Sequence, residues 1–219
     1  MPSLGGIYIG DIALLEPEGH RTGMFKRPIA SGRVTVTGLA GDHQADLRVH
    51  GGPEKALHHY AAENYRHLAA DYPALAAEFV PGCLGENLST MGWNEDNVHI
   101  GDVFRIDGTI LEVSQPRSPC WKINHRFGVG DLSQRIASRC LTGWYYRVLT
   151  PGTIVVGSAF ERIEQGPAQV SIRRFWEIVL CHRPSPADLD RLCGIPALAD
   201  GWKRKLGERK AWLERMAPQ

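Results

Sequence analysis

Cys120 lies in the run Ser114-Gln115-Pro116-Arg117-Ser118-Pro119-Cys120-Trp121-Lys122. Two prolines stiffen the backbone before it, Arg117 stands three residues ahead and Lys122 two behind. A thiol on a stiff loop among cations is set up to act as a thiolate, which attacks electrophiles or binds metals. Two other stretches concentrate polar side chains among glycines. Residues 38–52 carry Asp42, Asp46, Arg48 and His50, and the second stretch is Gly85-Glu86-Asn87-Leu88-Ser89-Thr90. Glycine allows close backbone approach there. Asp42 and Asp46 read as loop organisers, because loop aspartates bond nearby backbone N–H groups. Glu86 and Asn87 suit either turn structure or pocket polarity. No G-x-x-x-x-G-K and no G-x-G-x-x-G in a strand-to-helix setting is present, which argues against NAD or ATP bound by those routes.

The elements that must position these residues are mostly strands. Residues 6–15, 32–37, 98–106, 109–114, 144–149 and 153–156 have the β-branched and aromatic content of strands. Asp107-Gly108 between two apolar runs predicts a tight hairpin, and Pro151-Gly152 predicts another turn. A helix is expected over residues 53–72, where Leu57, Tyr60, Ala61, Tyr65, Leu68 and Tyr72 recur at helical spacing behind Pro53. Asp131-Leu-Ser-Gln134 opens a second helix with a possible capping pair. After Gly166-Pro167 the period becomes helical, with Ile172, Phe175, Trp176, Val179 and Leu180 forming an apolar stripe. Ser185-Pro186-Ala187-Asp188 reads as a cap, a first-turn proline and a first-turn acid, and residues 198–216 supply one more helix. The expected architecture is mainly β and barrel-like over residues 1–166, with a small three-helix domain over residues 167–219.

Composition sets the bounds. The 219 residues are 43% hydrophobic and 22% charged, enough to build a sizeable core. A net charge of +1 argues against nucleic acid or a membrane as partner. The start of the chain lacks the basic and apolar regions of a secretory signal. No apolar run approaches the ~20 residues of a spanning helix. Cys83, Cys120, Cys140, Cys181 and Cys193 are odd in number and scattered, so neither a zinc spacing nor a disulfide scaffold fits. Reduced thiols in a cytoplasmic protein, mostly buried, are expected. Residues 201–219 hold six basic and two acidic side chains. These form either a solvated helix face or a docking surface for an acidic electron-transfer partner.

Together, Val49-His-Gly-Gly-Pro-Glu-Lys-Ala-Leu-His-His-Tyr60, Gly85-Glu-Asn-Leu, Gly101-Asp-Val-Phe-Arg, Val113-Ser-Gln-Pro-Arg-Ser-Pro-Cys-Trp-Lys122 and Gly143-Trp-Tyr-Tyr-Arg-Val-Leu resemble MOSC domain proteins. The name means the C-terminal domain of molybdenum-cofactor sulfurase. The similarity covers almost the whole chain and is greatest to the YiiM-like subgroup, which adds a C-terminal 3-alpha domain. It implies a barrel of the pyruvate-kinase β-barrel-domain type that holds the molybdenum cofactor (molybdopterin), with Cys120 as the protein ligand to molybdenum. A soft thiolate suits such a metal.

The resemblance also implies reduction of N-hydroxylated compounds, including hydroxylamino-purines. Arg48, Lys55, Arg117 and Lys122, with Asn87, become candidates to hold the anionic cofactor. His59 and Lys26 match the subgroup's pattern as residues that supply or orient protons, and His50 is a further candidate. Each has a plainer reading: His59 as a half-buried helix histidine, Lys26 as a solvated lysine, His50 as a brace for the Gly51-Gly52 turn. His58 reads as exposed or structural. The competing function is a carrier of cofactor or of sulfur on Cys120. Electrons must come from a separate redox protein, since the chain shows no flavin or nicotinamide motif.

Overall fold

The computed structural model describes residues 2–47 and 50–216. Six strands open the chain: β1 (Leu4–Ile9), β2 (Ala13–Leu15), β3 (His20–Thr22), β4 (Arg27–Ile29), β5 (Ser31–Thr35) and β6 (Gly38–Leu39). Then come β7 (Leu57–Ala61), helix α1 (Asn64–Asp71), β8 (Leu88–Thr90), β9 (Val103–Ile106) and β10 (Thr109–Pro116). Two short helices, α2 (Lys122–Phe127) and α3 (Leu132–Ser138), precede β11 (Trp144–Thr150), β12 (Gly152–Val155) and β13 (Phe160–Glu164). Three helices follow: α4 (Ile172–Leu180), α5 (Pro186–Cys193) and α6 (Asp200–Arg215).

The main sheet runs β13-β9-β10-β11-β7-β8-β1-β4, antiparallel throughout except for the parallel pair β7–β8. It curls until its flanks touch, where Ser3 bridges Ala159 and the Leu4 N–H donates to Ser158 O at 2.9 Å. It does not close along its length, so it is barrel-like rather than a barrel. The 107–108 hairpin forms as expected, with Thr109 opposite Ile106 and Asp107 in the left-handed region at φ 51°. The turn at Pro151 sends β12 into a separate sheet, β12-β5-β6, instead of pairing it with β11.

The helix expected over residues 53–72 is not one element. A 3-10 turn (Pro53–Lys55) leads into strand β7, and only Asn64–Asp71 is α-helical. All five residues of β7 are buried, because the strand is paired on both edges and covered on both faces. A short apolar run of that kind has no period that separates strand from helix, and pairing decides it. Asp131 precedes α3 without a side-chain cap; its carboxylate instead accepts from the Tyr72 hydroxyl at 3.0 Å. Ser185 does cap α5, its Oγ accepting from Asp188 N at 3.0 Å.

Two apolar clusters fill the molecule. The larger joins Leu57, Phe104, Trp144 and Phe160 of the sheet with Phe175, Trp176, Leu189 and Leu192 of the C-terminal helices. The smaller gathers Tyr60, Tyr65, Leu84, Phe127 and Ile136 on the other side of β7. The period of two along β7 thus sends Leu57 and His59 to one side, His58 and Tyr60 to the other. All five cysteines are free thiols; Cys83 and Cys140 are buried, whereas Cys181 is exposed.

His59 is fully buried in the larger cluster. Its Nδ1 lies 3.1 Å from the Tyr146 hydroxyl, its Nε2 2.9 Å from Thr90 Oγ1, and its ring stacks on Trp144 at 4.5 Å. Truncating it opens a cavity and strands two hydroxyls. His59→Ala is expected to lower the unfolding free energy by about 3 kcal/mol, measured by urea denaturation followed by tryptophan fluorescence.

Candidate functional site

Strand β10 ends at Pro116, and the next residues turn back along the sheet before α2 begins. The Arg117 N–H donates to Gly143 O at 3.1 Å, which anchors this turn to the start of β11. Gly143 is required there: its φ is +69°, and a Cβ would lie 2.2 Å from the His59 carbonyl. Cys120, three residues beyond Arg117, is half-buried and lines an open cleft.

The cleft gathers Cys120, Lys26, His50, Lys55, Arg117, Lys122 and Asn87 from segments far apart in sequence. His58, Tyr145, Asp42, Gln44 and Gly85 complete the wall. His59 is not among the lining residues. It faces the sheet core, while its neighbour His58 lines the cleft, as the alternation along β7 requires. The sequence reading takes His59 from the subgroup's pattern and reads His58 as exposed or structural; the alternation of a strand puts the two on opposite sides. Arg48 lies outside the described residues.

The cleft's polar frame is a buried ion pair. Lys26 Nζ bonds Asp42 Oδ1, with side chains 4% and 1% exposed. Asp42 Oδ1 also accepts from Gly10 N at 2.9 Å, and its Oδ2 from Asn87 Nδ2 at 2.9 Å and Gln44 Nε2 at 3.1 Å. Asn87 Oδ1 in turn accepts from His58 N at 3.0 Å. Asp42 is the loop organiser expected, and Asn87 belongs to both the turn and the pocket. Lys26 is a buried cation rather than a solvated one. Burial lowers its pKa, against the opposing pull of Asp42.

Glu86 is wholly buried and shapes the loop behind the cleft. It accepts from Gly82 N at 2.5 Å, Leu84 N at 3.2 Å and the Tyr65 hydroxyl. The loop so held presents Leu84 O, which takes Arg117 Nη2 at 3.3 Å. Arg117 is only 5% exposed, yet its Nη1 has no hydrogen-bond partner among the described residues. A buried guanidinium nitrogen without an acceptor is costly. Lys122 lines the mouth, with Nζ donating to Arg21 O at 2.6 Å. Trp121, half exposed, meets His20 and His125 edge-on at 4.9 and 5.2 Å beside the opening.

Burial, reinforced by the nearby cations, keeps His50 and His58 neutral. His50 is lowered to about 4 by burial first, then by Arg117, Lys55 and Lys122. His58 falls well below the usual histidine range through burial and Arg117. In the sheet core, burial lowers His59 to about 3.

Two consequences can be measured. Asp42→Ala leaves the Lys26 ammonium buried without its counterion and is expected to cost about 3–5 kcal/mol; adding Lys26→Met should recover part of that loss in chemical denaturation. The histidines bind protons in the unfolded chain near pH 6.5 but not in the folded one. Stability is therefore expected to fall as pH drops from about 6.5 toward 4, each such group contributing up to ~1.4 kcal/mol per pH unit. Melting temperature against pH should show this slope, and His59→Gln should flatten it.

Comparison with known proteins places this geometry. The MOSC domain family model matches residues 46–161. Protein YiiM of Escherichia coli is 37% identical over 207 residues, covering 93% of this chain and 91% of that protein. The crystal structure of Escherichia coli YiiM superposes with a TM-score of 0.82 at 30% identity, covering 97% of this chain and 94% of the other. A protein named reductase from Gibberella moniliformis is 34% identical over 161 residues, 66% of this chain and 28% of its own length.

Proposed function

This chain belongs to the MOSC domain family, in its YiiM-like branch, and from that premise we propose that it is a molybdenum-cofactor oxidoreductase that reduces N-hydroxylated compounds such as hydroxylamino-purines. The observation that carries the reading is the pairing, in one cleft, of the Cys120 thiol with the buried Nη1 of Arg117, which has no partner among the described residues. A soft sulfur donor suits a molybdenum centre. A desolvated guanidinium nitrogen waiting for an acceptor suits an anionic pterin. The residues present therefore fit the cofactor. Cys120 would ligate the metal, and Arg117, Lys55 and Lys122, with the Asn87 amide, would hold the organic part. The reductase name of the Gibberella moniliformis relative supports a redox role.

Bound there, the cofactor would supply the two electrons needed to cleave an N–O bond. The balance is R–NH–OH plus two electrons and two protons giving R–NH2 and water. The protons fall to this chain. His50 and His58 are neutral, so Lys26 is the buried cationic acid of the cleft, and its lowered pKa makes its ammonium a better donor than a solvated lysine. Asp42 orients the amine and holds its charge while the proton is on it. His50 donates or accepts a hydrogen bond as a neutral imidazole. A separate redox protein supplies the electrons.

The test is protein made in a host that synthesises the cofactor, analysed for molybdenum and assayed on a hydroxylamino-purine with a chemical electron donor. Cys120→Ala is expected to lose both bound metal and turnover; an unchanged rate would overturn the ligand assignment. Lys26→Met should keep molybdenum and lower kcat by about 100-fold. Tight cofactor without turnover on any N-hydroxylated substrate would make the protein a carrier instead.

A further inference from the structure

Gly143 anchors the Cys120 turn, yet it has no side chain with which to anchor itself. Its left-handed φ and the nearby His59 carbonyl exclude one. Its position is therefore set by its backbone bonds. Gly143 O accepts from Arg117 N at 3.1 Å and from Thr142 Oγ1 at 3.0 Å. Gly143 N donates at 2.8 Å to Oε1 of Glu95, which stands in the segment between β8 and β9.

Glu95 is 1% exposed and takes no part in the chemistry proposed above. Besides the Gly143 N–H, its carboxylate accepts from Asn64 Nδ2, which reaches both oxygens, at 2.9 and 3.0 Å, from the start of α1. These donors are neutral amides. Burial raises the pKa of Glu95, against the pull of these bonds. An ionised group in such a place is costly. What a carboxylate adds over a neutral amide of the same size is acceptor strength on both oxygens, and so a firmer grip on the Gly143 N–H. The main chain of Glu95 is fixed as well, its carbonyl accepting from Arg173 N at 2.8 Å at the start of α4. The same helix reaches Gly143 by a second route, since Trp176 Nε1 donates to Thr142 Oγ1 at 2.8 Å.

We propose that Glu95 is the positioning residue of the Cys120 turn: its carboxylate fixes Gly143, Gly143 fixes the Arg117 main chain, and the turn so anchored holds the thiol in the cleft wall. From Arg117 the constraint passes through Ser118 and Pro119, whose ring restricts the backbone just before the cysteine. The positioning stands on these contacts; only its consequence for metal binding rests on the reductase reading.

Asn64 makes a rescue possible. Glu95→Gln keeps the size of the side chain but turns one acceptor into a donor, which then faces the Asn64 Nδ2 donor. Adding Asn64→Asp supplies the missing acceptor. The experiment is alkylation of cofactor-free protein by iodoacetamide, well below its melting temperature, with each cysteine followed separately by mass spectrometry. Cys83 and Cys140 are buried and report any general loosening. In Glu95→Gln, Cys120 is expected to react at least about threefold faster, the factor that corresponds to the net worth of one hydrogen bond. Cys83 and Cys140 should not change, and the doubly substituted chain should return to the original Cys120 rate. An unchanged Cys120 rate in Glu95→Gln overturns the proposal. A rise shared with Cys83 and Cys140, or one that Asn64→Asp does not reverse, overturns it too, because a merely structural loss gives that pattern. If Glu95→Gln does not fold, Asn64→Ala, which frees the carboxylate to turn away from Gly143, is read in its place: a faster Cys120 alone supports the proposal, and an unchanged or shared rate overturns it. Because no arm needs molybdenum or turnover, an inactive enzyme would sink the reductase reading and leave this one standing. An active enzyme whose Cys120 rate is indifferent to Glu95→Gln would sink only this one.

Discussion

The carboxylate of Asp42 is the constraint on which the site depends. A buried charge is tolerated only where donors replace its lost water. Asp42 receives four: the Gly10 N–H at the end of β1, the Lys26 ammonium just before β4, the Asn87 amide just before β8 and the Gln44 amide of its own loop. Each donor arrives from a different segment, so satisfying one carboxylate fixes the relative position of four. Asn87 extends the arrangement to β7 through the His58 N–H. Beside this satisfied frame, two buried nitrogens of the cleft wall, Arg117 Nη1 and His58 Nε2, have no hydrogen-bond partner among the described residues. They give the cleft its polarity: a frame with its own needs met, and a strong donor left over at Arg117.

Parts of this were legible in the sequence and parts were not, for identifiable reasons. The Cys120 turn could be read because proline dictates backbone locally, and the 107–108 hairpin because its geometry depends on two residues. The Ser185 cap is equally local. Strand β7 was hidden because its strand character comes from β11 and β8, which lie far away in sequence. With the strand in place, His58 lines the cleft and His59 faces the sheet core. The partition of β12 into a second sheet is likewise set by β5, not by the turn before it. Lys26 could not be told from a surface lysine until Asp42 stood beside it, since charge and hydropathy along the chain do not encode burial of a pair.

The three C-terminal helices begin where composition changes near residue 166, yet their apolar stripe packs into the same cluster as the sheet. Phe175 and Trp176 meet the edge of Trp202 at 4.9 and 5.7 Å, and Trp176 Nε1 donates to Thr142 Oγ1 at 2.8 Å, just before β11. The helices therefore brace the strand that carries Tyr145. A change in their packing would be felt at the cleft through rigid contacts, without any residue of the helices touching Cys120.

The order of the strands bears on how the molecule is made. β1 is completed by β8 on one edge, and its first residues by the segment just before β13, so the first residues meet residues 158–159 at one seam. The single parallel pair, β7–β8, needs its crossover through α1 in place first. Such long-range pairings form slowly, because their loop-closure entropy must be met before any contact rewards it. Lys26, Asn87 and Cys120 stand on segments that this sheet joins, so the site is complete only where the sheet is complete. A half-folded chain would present the Cys120 thiol without the lysine, the aspartate or the guanidinium around it, and it would have nothing with which to recognise an anion. The thiol has its ligand-binding surroundings only in a chain whose sheet is whole.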